Sequence, residues 1–220
     1  MKSFRKLSND EVELFLSSFD NKSNEQTEHS SAHLYKMSDN NLLIAYVKGT
    51  NQAARVLVDR LMPKIRSHAY YRLGNIDDAE DVTQETFLKL WKIAPSWKKD
   101  NAKVSTWLYR VVINLCHDKH RRKTLYSLDT VPDIVDNSHS SIDKLADKSR
   151  QIALYSAMSE LPARQRLAVQ LRHIDELKNT DIAEIMDLSV EAVESLIARG
   201  KHKLIQILKI HQSELGYRHE

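Results

Sequence analysis

Asp81 and Glu85 stand four residues apart in "DDAEDVTQETFLKLW", the spacing that puts two carboxylates on one face of a helix. Such a pair could bind a divalent cation or share acid–base work. Neither role is supported here. The stretch holds no His or Cys, and no glycine-rich phosphate loop precedes it. Asp77, Asp78, Glu80 and Asp81 also open a helical pattern, where the helix dipole favours acids without any catalytic purpose. Thr83 and Gln84 complete a polar face that suits docking of a basic protein partner. The other candidate is Cys116 with His117 and His120. It lies in a cationic run and lacks a second Cys, so a structural zinc site is not expected. No catalytic, metal or cofactor site is assigned.

About thirty residues after the acids the charge reverses. "HDKHRRK" surrounds Asp118 with His117, Lys119, His120, Arg121, Arg122 and Lys123. On the same helical stripe fall Trp107, Arg110, Asn114 and Arg121, at spacings of three, four and seven. Leu108, Val111, Val112 and Leu115 face the other way. A ring, an amide and guanidinium groups on one basic face suit nucleic acid: charge holds the backbone while ring and amide engage bases. Taken alone, a solvated cationic helix end would explain this stretch equally well.

A third constellation lies near the C-terminus. "TDIAEIM", the turn "DLS" and "VEAVESLIARGKHKLIQILK" read as two helices meeting across a tight turn, a helix-turn-helix. Ala183 is small where the helices cross, Ser189 caps the second helix, and Glu191 sits in its first turn. Val190, Val193, Leu196, Ile197, Leu204 and Leu208 form its apolar stripe. Ala192, Ser195, Arg199 and His202 lie on the opposite face, placed to reach base edges and phosphates.

The elements that must position these groups are all helical. The chain has 220 residues with four Gly and four Pro, a net charge of +3 and one Cys. These values favour helices with short connections, allow no internal disulfide and suit a reducing cytoplasm. No apolar run is long enough to span a bilayer. Residues 1–37 read as an extension expected to be disordered. Helices are expected from Asp39 to Gly49, from Asn51 to Gly74, from Asp77 to Ala94 before Pro95, and from Thr106 to Thr124. Together they make a four-helix bundle over 38–125. A linker follows at 126–147, a second helical domain at 148–210 with Pro162 opening a helix, and a tail at 211–220. The fold class is all-α, with two small helical domains joined by a flexible linker.

Three segments, "DAEDVTQETFLKLW", "STWLYRVVINLCHDKHRR" and "LPARQRLAVQLRHIDELKNTDIAEIMDLSVEAVESLIARGKHKL", resemble in order and spacing bacterial RNA polymerase sigma factors of the extracytoplasmic-function (ECF) group. The resemblance covers about Asp39 to Leu208. It implies that region 2 docks on the β′ clamp helices of core polymerase through Asp78, Asp81, Gln84 and Glu85. It implies that Trp107, Arg110, Asn114, His117, Arg121 and Arg122, with the loop from Ser96 to Ser105, open and hold the −10 element. Region 4 would read the −35 element through Ala192, Ser195, Arg199 and His202 and touch the β flap. An anti-sigma factor is a further implied partner. The sequence departs from the family pattern at Glu194 and Leu196, where basic residues are usual, at Asp187, where glycine is usual, and at Ala54, where Phe is frequent. The alternatives are a sigma-like decoy that binds an anti-sigma factor and a stand-alone helix-turn-helix regulator. The decoy draws on Glu194 and Leu196 and is opposed by the basic run. The regulator would leave the acidic helix unexplained.

Overall fold

The computed structural model describes residues 33–98, 103–126, 154 and 156–210. Seven helices carry most of them: α1 (Asp39–Val47), α2 (Asn51–Leu73), α3 (Ile76–Ile93), α4 (Val104–Tyr126), α5 (Ala163–His173), α6 (Asn179–Met186) and α7 (Val190–Ile210). No strand occurs among the described residues. The chain is all-α, with two small helical domains. The first 32 residues, residues 99–102, the expected linker beyond Tyr126, the first residues of the second domain expected from 148, and the tail from 211 lie outside the described residues.

Local chemistry sets most helix limits. Ser38 Oγ accepts the Asn41 N–H at 3.3 Å and opens α1. Gly49 ends that helix with φ of 99°, a conformation costly for a residue bearing Cβ. Gly74, at φ 66°, does the same after α2. Asn75 Oδ1 then accepts the Asp78 N–H at 2.9 Å and starts α3 one residue earlier than expected. Helix α2 runs through Pro63, which removes only the bond to the Asp59 carbonyl. Pro95 does not open a loop. It lies in a 3-10 turn, Ala94–Ser96, in which Ser96 Oγ donates to the Ile93 carbonyl at 2.8 Å. Helix α4 begins at Val104, two residues before the expected start, because the Val104 N–H is satisfied by Asn40 Oδ1 at 2.8 Å.

Packing divides the chain into two compact units. One comprises residues up to Pro63 together with Phe87–Ser105. Leu42, Leu43, Leu57, Leu90 and Val104 are fully buried there, and the Tyr46 and Trp91 rings lie 4.9 Å apart. Residues 33–36 are helical and Leu34 is buried, so the folded part begins inside the expected extension. Arg60 holds it: the guanidinium donates to the Tyr35 and Met37 carbonyls and pairs with Asp39 at 2.6 Å.

The other unit comprises Lys64–Thr86 and everything from Thr106 onward. The second half of α2, the first half of α3, α4 and the C-terminal helices therefore share one unit, although 127–153 separates them in sequence. Ile65, Ala69, Leu108, Val112 and Cys116 are fully buried within it. A second cluster joins Ala157, Met158 and Leu161 to Val169 and Ile207, with Ile174, Leu204 and Leu208 against it. Helix α7 packs on both α5 and α6.

Candidate polymerase and nucleic-acid interfaces

Helix α3 divides its residues as its period dictates. Ala79, Val82, Phe87 and Leu90 are buried, while Asp81, Gln84 and Glu85 are exposed. Thr83 does not belong to the polar face. It is buried, and its hydroxyl donates to the Ala79 carbonyl at 2.7 Å. Asp78 is half-buried and lies 2.7 Å from Lys119 Nζ, which also reaches Asp81 at 3.0 Å. Burial alone would lower the Lys119 pKa, but its hydrogen bonds to Asp78 and Asp81 outweigh that and raise it. Glu80 faces Arg66 at 3.7 Å. Lys119 stands in the basic run by sequence, yet it serves the acidic helix. The alternating signs of Asp78 and Lys119 were visible, but their proximity depends on how α3 and α4 pair.

Along α4 the structure keeps Arg110, Asn114, His117, Arg121 and Arg122 exposed and Trp107 half-buried. Leu108 and Val112 are buried, whereas Val111 and Leu115 are only half-buried. The phase is set instead by Tyr109 and Cys116, both buried. Burial pushes the Cys116 thiol pKa up to about 11, against smaller opposing pulls from Arg72 and Lys119. Arg121 pairs with Asp118 at 3.3 Å, two exposed groups that cost little to separate. His120 donates through Nε2 to the Arg72 carbonyl at 2.7 Å, which ties α4 to the end of α2. No group of three or more metal-ligating side chains occurs among the described residues.

The α6–α7 pair is a helix-turn-helix in geometry. Asp187 closes α6 with φ 54° and ψ 55°, and the Leu188 N–H bonds the Ala183 carbonyl at 3.0 Å. Ser189 Oγ accepts the Ala192 N–H at 3.2 Å and opens α7. Hydrogen bonds from its own backbone N–H and from Ser189 hold the Glu191 carboxyl below the usual range. Ser195, Arg199 and His202 are exposed, and Ala192 is half-buried. Arg199 Nε donates to the Ser195 carbonyl at 3.1 Å, and Gln206 and His202 lie 3.0 Å apart. Glu194 accepts the Asn179 side-chain amide at 3.2 Å, linking α7 to the start of α6. Gly200 is buried in α7 and lies against Val169 and Gln165 of α5.

One polar group was missed. His68 lies in α2 in phase with Leu61, Ile65 and Ala69, and it is fully buried. Its Nδ1 lies 2.7 Å from Asp175 Oδ2 and 3.0 Å from the Gln170 side-chain nitrogen. The Gln170 amide donates to the His68 carbonyl at 3.3 Å. Tyr109 meets the His68 ring edge-on at 5.3 Å. Burial, and then the adjacent Asp175 carboxylate, raise the Tyr109 pKa well above the ordinary tyrosine value. A histidine on an apolar stripe was the available signal. Asp175, more than a hundred residues away, carried none.

The sigma-70 region 2 family matches residues 57–125, and the sigma-70 region 4 family matches 151–204. Among curated relatives, the ECF RNA polymerase sigma factor SigW of Bacillus subtilis is 32% identical over 173 residues, spanning 74% of this chain and 92% of SigW. SigM of Mycobacterium tuberculosis is 29% identical over 174 residues, spanning 79% of this chain and 86% of SigM. The fold is also that of CnrH in its complex with the cytosolic domain of CnrY, with a TM-score of 0.62, 23% identity and 78% of this chain and 97% of that one covered. It likewise resembles the sigma factor RpoE of Bartonella quintana in complex with the anti-sigma factor NepR, at TM-score 0.56, 21% identity and coverage of 70% and 94%. Region 2 and region 4 follow one another along one chain, the match to SigW spans nearly the whole of that protein, and the chain belongs to the ECF group of RNA polymerase sigma factors.

Proposed function

We propose that this sigma factor divides its work among the three faces described above. The exposed acids of α3, Asp81 and Glu85 with Gln84 between them, dock on the β′ clamp helices of core polymerase, with Asp78 at the edge. The α4 stripe of Trp107, Arg110, Asn114, His117, Arg121 and Arg122 captures the opened −10 strand. Unstacking a base costs a few kcal/mol, and stacking on Trp107 together with phosphate contacts from the arginines offsets it. Ala192, Ser195, Arg199 and His202 on α7 read the −35 element, and region 4 also meets the β flap. Residues 38–125 act as the docking and −10 domain and 148–210 as the −35 domain. The work is non-enzymatic and takes place in the cytoplasm. Among the described residues no helix is long and apolar enough to cross a membrane.

The observation that carries this reading is the separation of sign. Asp77, Glu80, Asp81, Gln84 and Glu85 are exposed on α3, and Arg110, His117, His120, Arg121 and Arg122 are exposed on α4. One surface suits a basic protein helix and the other suits phosphates. A regulatory partner is proposed on the same footing. RpoE of Bartonella quintana is solved with an anti-sigma factor, and an analogous protein is expected to restrain this chain.

The test is run-off transcription on genomic promoter fragments with purified core polymerase, with and without the protein. Discrete transcripts that need both components are expected. Replacing Asp81 and Gln84 with Ala should abolish them through lost co-purification with core, with far-UV circular dichroism unchanged. Transcripts that persist with that double variant would remove α3 from the docking role.

A further inference from the structure

Helix α7 carries its charge unevenly. Arg199, Lys201, His202 and Lys203 lie exposed from its middle onward, whereas Glu191 and Glu194 lie exposed near its N-terminus. The two acids have different duties. Glu191 belongs to the cap, where its carboxyl accepts hydrogen bonds from its own N–H and from Ser189. Glu194 stands past the first turn of the helix, where the dipole no longer rewards an acid. On a helix that reads DNA it faces phosphates of like sign. A carboxylate in that position needs a reason that neither the cap nor the phosphate backbone supplies.

Its surroundings suggest one. Ser195 follows Glu194 directly, Ala198 stands one turn on and Arg199 comes next, all of them exposed. Glu194 thus shares the surface assigned to the −35 element. Ser195 and Ala198 are short, so they do not hold this part of the helix away from the floor of a groove, and a Glu side chain is long enough to meet a base edge there. Glu194 Oε1 accepts the Asn179 side-chain amide at 3.2 Å. That bond steadies the carboxylate across the corner between α6 and α7 and leaves Oε2 for a second donor.

We propose that Glu194 reads a base of the −35 element and selects cytosine, with Asn179 as its positioning residue. This rests on the reading of α7 as the −35 helix. An ionised carboxylate can only accept hydrogen bonds. In the major groove cytosine offers the N4 amino group as a donor. Guanine shows two acceptors, N7 and O6, and thymine shows the O4 acceptor and a methyl group, so both strip water from the carboxylate and return no bond. Adenine offers its N6 amino group but sets the N7 acceptor beside it, opposite the second carboxylate oxygen. Only a cytosine offsets the repulsion from the phosphates. The residue therefore acts by rejecting wrong sequences more than by tightening the right one.

The experiment transcribes a promoter library randomised across the −35 element, using the full chain with core polymerase, and sequences the productive templates. The unaltered protein should show one −35 position, on one strand, where cytosine exceeds each other base by about tenfold. Glu194→Gln has nearly the same shape, and a carboxamide pairs with adenine N6 and N7 together, so that position alone should move from cytosine to adenine. Glu194→Ala should flatten it. Asn179→Ala keeps the carboxylate without its support and should narrow the preference for cytosine without moving it to adenine. A Glu194 that merely ties α7 to α6 would change the yield at every sequence alike. That result, or an unchanged base preference in both Glu194 variants with native circular dichroism, overturns the proposal. No base preference at any −35 position in the unaltered protein is a different failure, since it removes α7 from −35 reading altogether and Glu194 with it.

Discussion

Single side chains carry two measurable consequences. Asp187 holds a left-handed conformation at the end of α6, where glycine pays no Cβ cost. Asp187→Gly is expected to raise the unfolding free energy by about 0.5–1 kcal/mol, read from the urea midpoint at unchanged slope. Cys116 is fully buried, and burial pushes its thiol up to about 11. The thiolate fraction at pH 8 is correspondingly small, so a disulfide-exchange reagent should leave Cys116 unmodified in buffer and modify it fully in denaturant. Rapid modification of the native protein would show the α4 core to be open. Asp187 was legible beforehand, as the odd residue at a position where the family has glycine. The place of Glu194 was not. An acid on a DNA-reading helix looks like a loss of phosphate affinity, while its hydrogen bond to Asn179 depends on a turn that brings the ends of α6 and α7 together.

Elements were read well where a backbone rule fixes them and poorly where packing does. Gly49 and Gly74 end helices because only a positive φ continues the chain there. Nothing local announces the α4 start at Val104, since Asn40 caps it from 64 residues away. The apolar stripe of α7 was identified as Val190, Val193, Leu196, Ile197, Leu204 and Leu208. Its tightest positions are Val193, Gly200 and Ile207, which are buried. Gly200 has no side chain to register in an apolar pattern, yet a Cβ there would stand 2.7 Å from Val169 Cγ2 and 3.3 Å from Gln165 Cβ. Alanine favours a helix interior by about 1 kcal/mol, but overpacking a β-branched neighbour costs about 1–3 kcal/mol. Gly200→Ala is therefore expected to destabilise by about 1–2 kcal/mol, measured by chemical denaturation. A stabilised variant would mean that α5 and α7 can part without cost.

At the scale of the whole molecule, the charge pattern told most of the function. A total of +3 says little; the order acidic helix, basic helix, helix-turn-helix says much. Which long-range groups meet was out of reach, because His68, Gln170 and Asp175 belong to segments that no local periodicity relates. The prediction at this scale concerns salt. Arg121 and Arg122 are exposed, so Arg121→Ala with Arg122→Ala should weaken open-complex formation and flatten its dependence on log salt by about one unit per lost phosphate contact. An unchanged slope would take these two arginines off the DNA backbone.

Lys119 gives the acidic helix a further property. Among its acids, Asp78 and Asp81 already face Lys119 and Glu80 faces Arg66, all cations of their own chain. A basic partner that takes Asp81 must displace Lys119, so docking there is an exchange of counter-ions. The field that draws the partner in is weaker than the sequence count implies, and the rate of capture is correspondingly less sensitive to ionic strength. Lys119→Ala should uncover that field, and association with core would become faster and more salt-sensitive, as stopped-flow mixing would record.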